Sequence, residues 1–181
     1  FAQIDNVVAI KIAPFDRYAT LDVLRGVLEA GAADRIALYT GNDDHIVGDL
    51  LTPFTLVHKG EQKTLRIAGG LLGHWSVWTR AAVALHARCC RADATPELLA
   101  LDAQVTEMNA AVFDVAHAFH GVIAGCHEVL RRQGLLEGIW CLDPREGLSP
   151  GQAELLTSVA ARYPQLTDDA FVRANLNAWL S

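Results

Sequence analysis

The chain has 181 residues, of which 51% are hydrophobic and 20% charged, with 15 basic against 21 acidic side chains and a net charge of −6. This composition is typical of a globular protein and excludes a largely disordered one. The acidic balance, without a basic block or a nucleic-acid-binding motif, argues against nucleic acid as a partner. Since no apolar stretch reaches the ~20 residues of a membrane span and no signal-peptide pattern is present, we expect a cytoplasmic protein without a membrane partner.

The first predicted element is a strand that contains a lysine. Residues 7–13, Val-Val-Ala-Ile-Lys-Ile-Ala, are so apolar that they predict a parallel strand buried on both faces. Alternation places Lys11 on the same face as two small residues, Ala9 and Ala13. Partial desolvation lowers the pKa of a lysine, and a neutral amine can attack a ketone to form a Schiff base. The alternative is a lysine at a strand end whose aliphatic stem carries the charge out to solvent.

Further strands and helices alternate along the first half of the chain. Apolar periodicity and turn residues predict helices over residues 21–31, 46–53 and 77–91. Strands are predicted over residues 36–40 and 69–76, with an inserted hairpin around a glycine turn over 54–67. Strands that alternate with helices in units of about 30 residues indicate right-handed crossovers and a parallel sheet.

The second half of the chain is predicted to be helical. Apolar residues recur every three or four positions over 96–133, which predicts one long helix or two with a bend. Ser149, Pro150 and Gln152 are typical of a helix that starts at residue 150, and a last helix follows residues 167–169. We therefore expect two parts, the strands with their helices over 1–92 and a helical region over 93–181 that packs on them.

Three short motifs follow one another along the predicted strands. They are Val-Val-Ala-Ile-Lys at 7–11, Leu-Tyr-Thr-Gly-Asn-Asp at 38–43 and Gly-Leu-Leu-Gly-His-Trp-Ser at 70–76. In this order they resemble the sixth, seventh and eighth strands of the dihydrodipicolinate synthase and N-acetylneuraminate lyase family, with its G-I-K-[DE], L-x-S-G-D-D and G-G-x-G-V-I-S segments. Residues 127–150 are similar to the C-terminal part of the same family. The chain departs from these motifs at Ala9, Ile12, Asn42, His74 and Trp75, which leaves the particular substrate open.

The resemblance implies an α/β fold, the second half of a TIM (β/α)8 barrel with strands six to eight, whose N-terminal half lies outside this chain. It implies a lyase, aldolase or dehydratase that acts on a pyruvate-like 2-oxo acid with no cofactor and no metal. Lys11 would be the catalytic residue, and Gly41, Trp75 and Ser76 would bind substrate. We also expect a homo-oligomer. The family's tyrosine proton relay and its carboxylate-binding hydroxyl pair cannot be located here, so this chain alone is expected to be inactive.

Two other classes of function compete with this interpretation. A metal-dependent aldolase would polarise the carbonyl with a divalent ion, and His45, His58 and His74 near strand ends are its candidate ligands. A barrel without catalysis could instead have a binding role, because fold alone does not determine chemistry. The absence of an acidic residue after Lys11 and the bulky pair His74 and Trp75 favour this third class.

Overall fold

A computed structural model describes residues 1–12, 16–91 and 93–181. These residues form a mixed α/β structure with a three-stranded parallel sheet, a two-stranded antiparallel hairpin and seven α-helices. They make two compact units, which do not coincide with the predicted division after residue 92. Unit 1 comprises residues 1–72 and 86–103, and unit 2 comprises residues 73–85 and 104–181. Among the described residues, every helix is too short or too polar to cross a membrane.

The sheet and hairpin belong to unit 1. The strands are β1 (Ala9–Ile12), β2 (Ala37–Thr40), β3 (Phe54–His58), β4 (Glu61–Leu65) and β5 (Gly69–Gly70). The sheet has the order β1-β2-β5 with both pairs parallel, as predicted. The helices of the chain are α1 (Arg17–Glu29), α2 (Ile46–Leu51), α3 (Thr79–Cys89), α4 (Pro96–Val112), α5 (Val122–Arg132), α6 (Gln152–Arg162) and α7 (Asp169–Trp179).

One face of the parallel sheet is packed and the other is open. Ile12, Leu38 and Thr40 alternate onto the packed face and are at most 3% exposed. Since the strands advance in one direction, right-handed crossovers place both connecting segments on that same face. Ala9 and Lys11 lie on the opposite side, here called the open face, and both are exposed. The expectation that this strand is buried on both faces is therefore wrong.

The predicted hairpin is confirmed. Strands β3 and β4 pair antiparallel, and Lys59 and Gly60 between them have φ values of 51° and 81°. Two consecutive left-handed residues are typical of the type I′ turn, whose twist matches that of the flanking strands. A hydrogen bond of 2.9 Å joins the hydroxyls of Thr55 and Thr64 across the strands.

The third predicted strand is much shorter than expected. Strand β5 covers two residues, and Gly73–Ser76 forms a 3-10 turn. The strand it pairs with, β2, ends at Thr40, whose carbonyl accepts from the Leu71 N–H at 2.8 Å. The Gly41 N–H faces β1 and donates to the carbonyl of Ile12 at 2.6 Å. The Asn42 N–H, which would be the next donor on the β5 side, donates instead to Thr40 Oγ1 at 3.1 Å and is not available to extend β5.

The helical segment 96–133 is two helices, α4 and α5, which was one of the two predicted alternatives. The connection contains three residues in the left-handed region, Asp114, Ala118 and Phe119, with φ between 52° and 65°. Beyond it, Gly125 lies so close to the end of α4 that an added Cβ would be 2.0 Å from the carbonyl oxygen of Val112. A continuous helix cannot make this contact between its own ends.

The predicted capped start of α6 is confirmed in part. The Ser149 N–H donates to Gln152 Oε1 at 3.1 Å, which is half of a capping box. The Ser149 hydroxyl does not cap the helix but donates to Asp114 at 2.5 Å. The helix begins at Gln152, two residues after the predicted start, and ends at Arg162.

Candidate functional site

The four residues predicted to form a site lie in different units. Lys11 and Gly41 belong to unit 1, whereas Trp75 and Ser76 belong to unit 2. The structure brings Gly41 to the end of β1, because its N–H donates to the carbonyl of Ile12, the residue after Lys11. Ala13, predicted to share a face with Lys11, lies outside the described residues.

The open face carries a row of three residues, one from each strand of the sheet. Lys11 of β1 is in register with Tyr39 of β2, and Tyr39 is in register with Gly69 of β5. The ring of Tyr39 lies over Gly69, since an added Cβ there would be 2.5 Å from Tyr39 Cε1. The face therefore presents a primary amine beside a phenol ring that rests on glycine. Tyr39 could not be found from the sequence, because its position opposite Lys11 depends on the strand register.

Gly41 does not present its own amide to a ligand. Its N–H is used by Ile12, as described above, and the residue is buried. The next amide, that of Asn42, donates to Thr40 Oγ1 at 3.1 Å. The resemblance implied that Gly41 lets a backbone amide approach a substrate carboxylate. The amides of Gly41 and Asn42 are both committed internally, so an anion here needs other donors.

A buried polar cluster lies at the carboxyl end of the sheet. The carboxylate of Asp49 is fully buried, and its Oδ1 accepts from Arg17 Nη1 at 2.7 Å. Its Oδ2 accepts from Thr40 Oγ1 at 2.7 Å and from Asn42 Nδ2 at 2.9 Å. Asn42 Nδ2 also donates to Thr20 Oγ1 at 3.1 Å. We call these five residues the Asp49 cluster.

Each element of unit 1 that supplies this cluster does so at one end. Arg17 opens α1, Thr40 ends β2 and Asp49 lies in the first turn of α2. This is the carboxyl end of the strands, where α/β proteins bind their ligands. The signal available in the sequence was Asp49 itself, a carboxylate within the otherwise apolar segment Ile46–Leu51.

Asn42 has one buried atom without a partner. Its Oδ1 makes no hydrogen bond with any described residue, although the side chain is 2% exposed. Leaving a buried acceptor unsatisfied costs about 1–3 kcal/mol. The Asp49 cluster therefore tolerates a polar atom that the fold itself does not satisfy.

The histidines considered as metal ligands do not form a metal site. In unit 1, His45 Nδ1 is 2.6 Å from Asp102 Oδ2, and Asp102 Oδ1 accepts from the amides of Val47 and Gly48 at the start of α2. The carboxylate of Asp102 thus contacts His45 with one oxygen and accepts from the first amides of α2 with the other. The described residues contain no group of three or more His, Cys, Asp or Glu side chains that could hold a metal ion.

His74 in unit 2 is a buried neutral histidine. It is 3% exposed, and its Nδ1 lies 3.3 Å from Asn109 Oδ1. Burial lowers the pKa of His74 to about 4, against the opposing effect of the hydrogen bond to Asn109. At neutral pH the ring is therefore uncharged and serves packing.

Trp75 and Ser76 lie beside this histidine in surroundings that are mainly apolar. Trp75 is half-buried and packs edge-on against His74, with ring centroids 6.4 Å apart. Ser76 is exposed and donates to Cys126 Sγ at 3.7 Å. It borders a cavity of about 410 Å³ whose lining includes Val83, Leu130, Phe171 and Trp179. Ser76 is thus placed for apolar contacts within unit 2.

A buried carboxylate of unit 2, that of Asp114, joins a serine and a histidine. Asp114 accepts from Ser149 Oγ at 2.5 Å and from the Gly121 N–H at 2.9 Å, and it lies 2.6 Å from His117 Nδ1. Burial favours the neutral acid, but these hydrogen bonds outweigh it and hold the pKa of Asp114 below its usual range. The hydroxyl bonds the carboxylate and not the imidazole, so the arrangement does not activate Ser149 as a nucleophile.

No family model matches the sequence, and no curated protein matches it. The resemblance to the Schiff-base aldolases therefore rests on the three strand motifs and the C-terminal segment quoted above.

Proposed function

We propose that this chain supplies the catalytic lysine of a Schiff-base-forming lyase, aldolase or dehydratase that acts on a pyruvate-like 2-oxo acid. Lys11 is the nucleophile in this proposal. The observation that carries it is the position of Lys11 near the carboxyl end of β1 on the open face, opposite the face that the helices cover. In a (β/α)8 barrel this face is the interior, and catalytic groups lie at the carboxyl ends of the strands.

The topology of unit 1 supports the second half of a barrel as the fold behind this function. The three parallel strands are neighbours in chain order, β1-β2-β5, without the reversal of order found in doubly wound sheets. Parallel sheets are normally covered on both faces. We propose that further strands continue the sheet and close it over the open face, which would enclose Lys11 and desolvate its amine.

The reaction begins with addition of the neutral Lys11 amine to the ketone carbon. A proton passes from nitrogen to oxygen, and the neutral carbinolamine then takes up a proton from solvent and loses water to give an iminium. The iminium withdraws electrons from the adjacent carbon, whose proton leaves to give an enamine. The enamine can add to an aldehyde, and the reverse sequence cleaves the same carbon–carbon bond. The small side chain of Ala9 on the open face leaves space for a substrate of this size.

Reductive trapping tests the proposal directly. The complete protein is incubated with pyruvate and borohydride, and intact mass is expected to rise by one pyruvate less one oxygen atom. The sequence contains three lysines, Lys11, Lys59 and Lys63, so peptide mapping separates the site from two internal controls in the exposed hairpin. We expect the adduct on Lys11 alone and none in a Lys11→Arg variant that retains the wild-type circular dichroism spectrum. Absence of an adduct, or equal labelling of all three lysines, would overturn the proposal.

A further inference from the structure

We infer that unit 2 binds a fatty acid, an alkyl chain that ends in a carboxylate, in the cavity that residues of α3, α5 and α7 line. The cavity has a volume of about 410 Å³, and all of its lining residues belong to unit 2. Small-molecule sites in proteins are typically concave, measure about 300–1,000 Å³ and have mainly apolar walls with a few polar groups. The inference does not depend on the chemistry of Lys11, which belongs to unit 1.

The walls of the cavity are supplied mainly by apolar side chains. Val83 of α3, Leu130 of α5 and Phe171 of α7 line it, together with Trp179, the last residue of α7. The rings of Phe171 and Trp179 pack edge to face with their centroids 5.6 Å apart. Val83 is 62% exposed and Trp179 is 49% exposed. Because a bound alkyl chain would remove this apolar surface from water, its burial favours binding.

Most polar groups around the cavity are already hydrogen-bonded to the protein. Trp78 Nε1 donates to Asp169 Oδ1 at 3.0 Å. Gln133 Nε2 donates to Asp168 Oδ1 at 2.9 Å, and Asp168 Oδ2 accepts from the backbone N–H of Arg80 at 2.9 Å. The hydroxyls that line the cavity also donate within the protein, and they belong to Ser76 and Thr79. These groups therefore hold the walls in place and are not needed by a ligand.

The guanidinium of Arg80 is the exception. It stacks on the ring of Phe171, with Cζ 4.2 Å from the ring centroid, and within the described parts of the chain no group accepts a hydrogen bond from it. Stacking occupies the face of the guanidinium and leaves the N–H groups at its edge, which form the planar fork that matches a carboxylate. Both oxygens of Asp168, the acidic residue of the lining, are occupied by N–H donors. The charge that remains available to a ligand is therefore positive.

Calorimetric titration of the whole chain with fatty acids of two lengths tests the inference. Decanoate and octanoate are titrated at pH 8, where both are ionised, and below their critical micelle concentrations. We expect one-to-one binding of both, about tenfold tighter for decanoate because two more methylene groups leave water. Decyltrimethylammonium has the same chain with the opposite charge and should bind at least about tenfold more weakly than decanoate.

Two arginine variants test the carboxylate contact. Arg80→Gln removes the guanidinium from the cavity, and Arg173→Gln removes an exposed arginine of α7 that does not line it. We expect the Kd of decanoate to rise about tenfold in Arg80→Gln and to stay unchanged in Arg173→Gln. Since both side chains are exposed, both variants should keep the wild-type near-ultraviolet circular dichroism spectrum.

A second pair of variants tests the position of the alkyl chain. Val83→Asp places a carboxylate at the rim of the cavity, whereas Ile123→Asp places one at a site that is 46% exposed and outside the lining. The Kd of decanoate should rise at least about tenfold in Val83→Asp, because a like charge then meets the ligand, and stay unchanged in Ile123→Asp.

Four results would overturn the inference. They are no binding of decanoate to the wild type, equal binding of decanoate and decyltrimethylammonium, the same Kd in Arg80→Gln as in Arg173→Gln, and the same Kd in Val83→Asp as in Ile123→Asp. The Lys11→Arg variant should bind decanoate like the wild type. A loss of decanoate binding in that variant would place the ligand at Lys11 and contradict a site in unit 2.

Discussion

Asp49 in unit 1 and Glu128 in unit 2 are buried carboxylates that accept hydrogen bonds from arginine, but their partners differ in burial. Thr40 and Asn42 beside Asp49 are themselves at most 2% exposed. Arg131 and Arg132 beside Glu128 keep between a third and a half of their side chains in solvent. Glu128 accepts hydrogen bonds from two arginines at the surface. Asp49 accepts from two buried neutral side chains and from one arginine, which uses Nη1 alone among the described contacts. A buried carboxylate can therefore stabilise either surface arginines or buried polar side chains.

Removing the carboxylate of Asp49 should destabilise the protein more than removing that of Glu128. Asp49→Ala leaves the buried donors of Thr40 and Asn42 without this acceptor. We therefore expect a loss of about 3–5 kcal/mol in the free energy of unfolding. Glu128→Ala exposes arginines that water can solvate, and about 1–2 kcal/mol is expected. Urea denaturation followed by circular dichroism measures both. A larger loss for Glu128→Ala would show that the comparison is wrong.

The pH dependence of unit 2 should be dominated by His74. Its pKa is about 4 in the folded protein against 6.5 for an unperturbed histidine, so the unfolded chain binds an extra proton between these values. Stability contributed by neutral His74 is therefore present above pH 6.5 and lost as the pH falls toward 4. The full effect is about 3 kcal/mol.

A His74→Gln variant serves as the control for this titration. Its free energy of unfolding should change little between pH 6.5 and 4.5. Below that window it should still fall, because the pKa of Glu128 is held below its usual range, first by hydrogen bonds from Arg131 against the effect of burial and further by Arg132. If the free energy of unfolding of the variant falls between pH 6.5 and 4.5 as steeply as that of the wild type, His74 is not the cause of the pH dependence.

Two glycines test how rigidly each unit is packed. Gly125→Ala in unit 2 places a Cβ 2.0 Å from a backbone carbonyl oxygen, that of Val112, and should cost about 2–3 kcal/mol. Gly48→Ala in unit 1 meets the ring of His45 at 2.2 Å, a side chain that can turn away at the expense of its contact with Asp102. We expect a loss of about 1 kcal/mol or less there, since alanine also favours the helix. Thermal unfolding of both variants gives the ranking, and the reverse order would contradict it.

The smallest contrast concerns two arginines of α1. Arg17→Gln leaves Asp49 with two of its three donors, and a loss of about 1–2 kcal/mol is expected. Arg25→Gln breaks a pair of two exposed side chains and should change stability by less than about 0.5 kcal/mol. If urea denaturation gives equal stability losses for the two variants, the Arg17–Asp49 ion pair contributes no more than the exposed Arg25–Asp22 pair.

Local signals in the sequence were sufficient for most elements of the fold. The glycine turn at Gly60 and the Ser149 to Gln152 pattern predicted a hairpin and a helix start that the structure contains. The length of β5 could not be predicted, because it is set by where its partner β2 ends. The sequence left Lys11 open between a buried and a solvent-exposed lysine, since which faces of a sheet are covered depends on the arrangement of the whole chain.

The residues of the candidate site likewise include some that a local pattern predicts and others that depend on contacts between distant segments. Alternation along one strand was enough to place Lys11 on a face with Ala9. Arg17 and Asp49 are 32 residues apart and meet through two different helices, so their contact follows from the crossover connections and not from any local pattern. The position of Tyr39 opposite Lys11 could not be predicted for a related reason, because it depends on the register of β1 and β2.

The distribution of tryptophan gives unit 2 its own optical probe. All four tryptophans of the chain, Trp75, Trp78, Trp140 and Trp179, lie in unit 2. Intrinsic fluorescence excited at the indole band therefore reports the unfolding of unit 2 alone, whereas the amide signal reports both units. Coincidence of the two transitions would identify a single cooperative system, and a gap between them would measure how independently the parallel sheet unfolds.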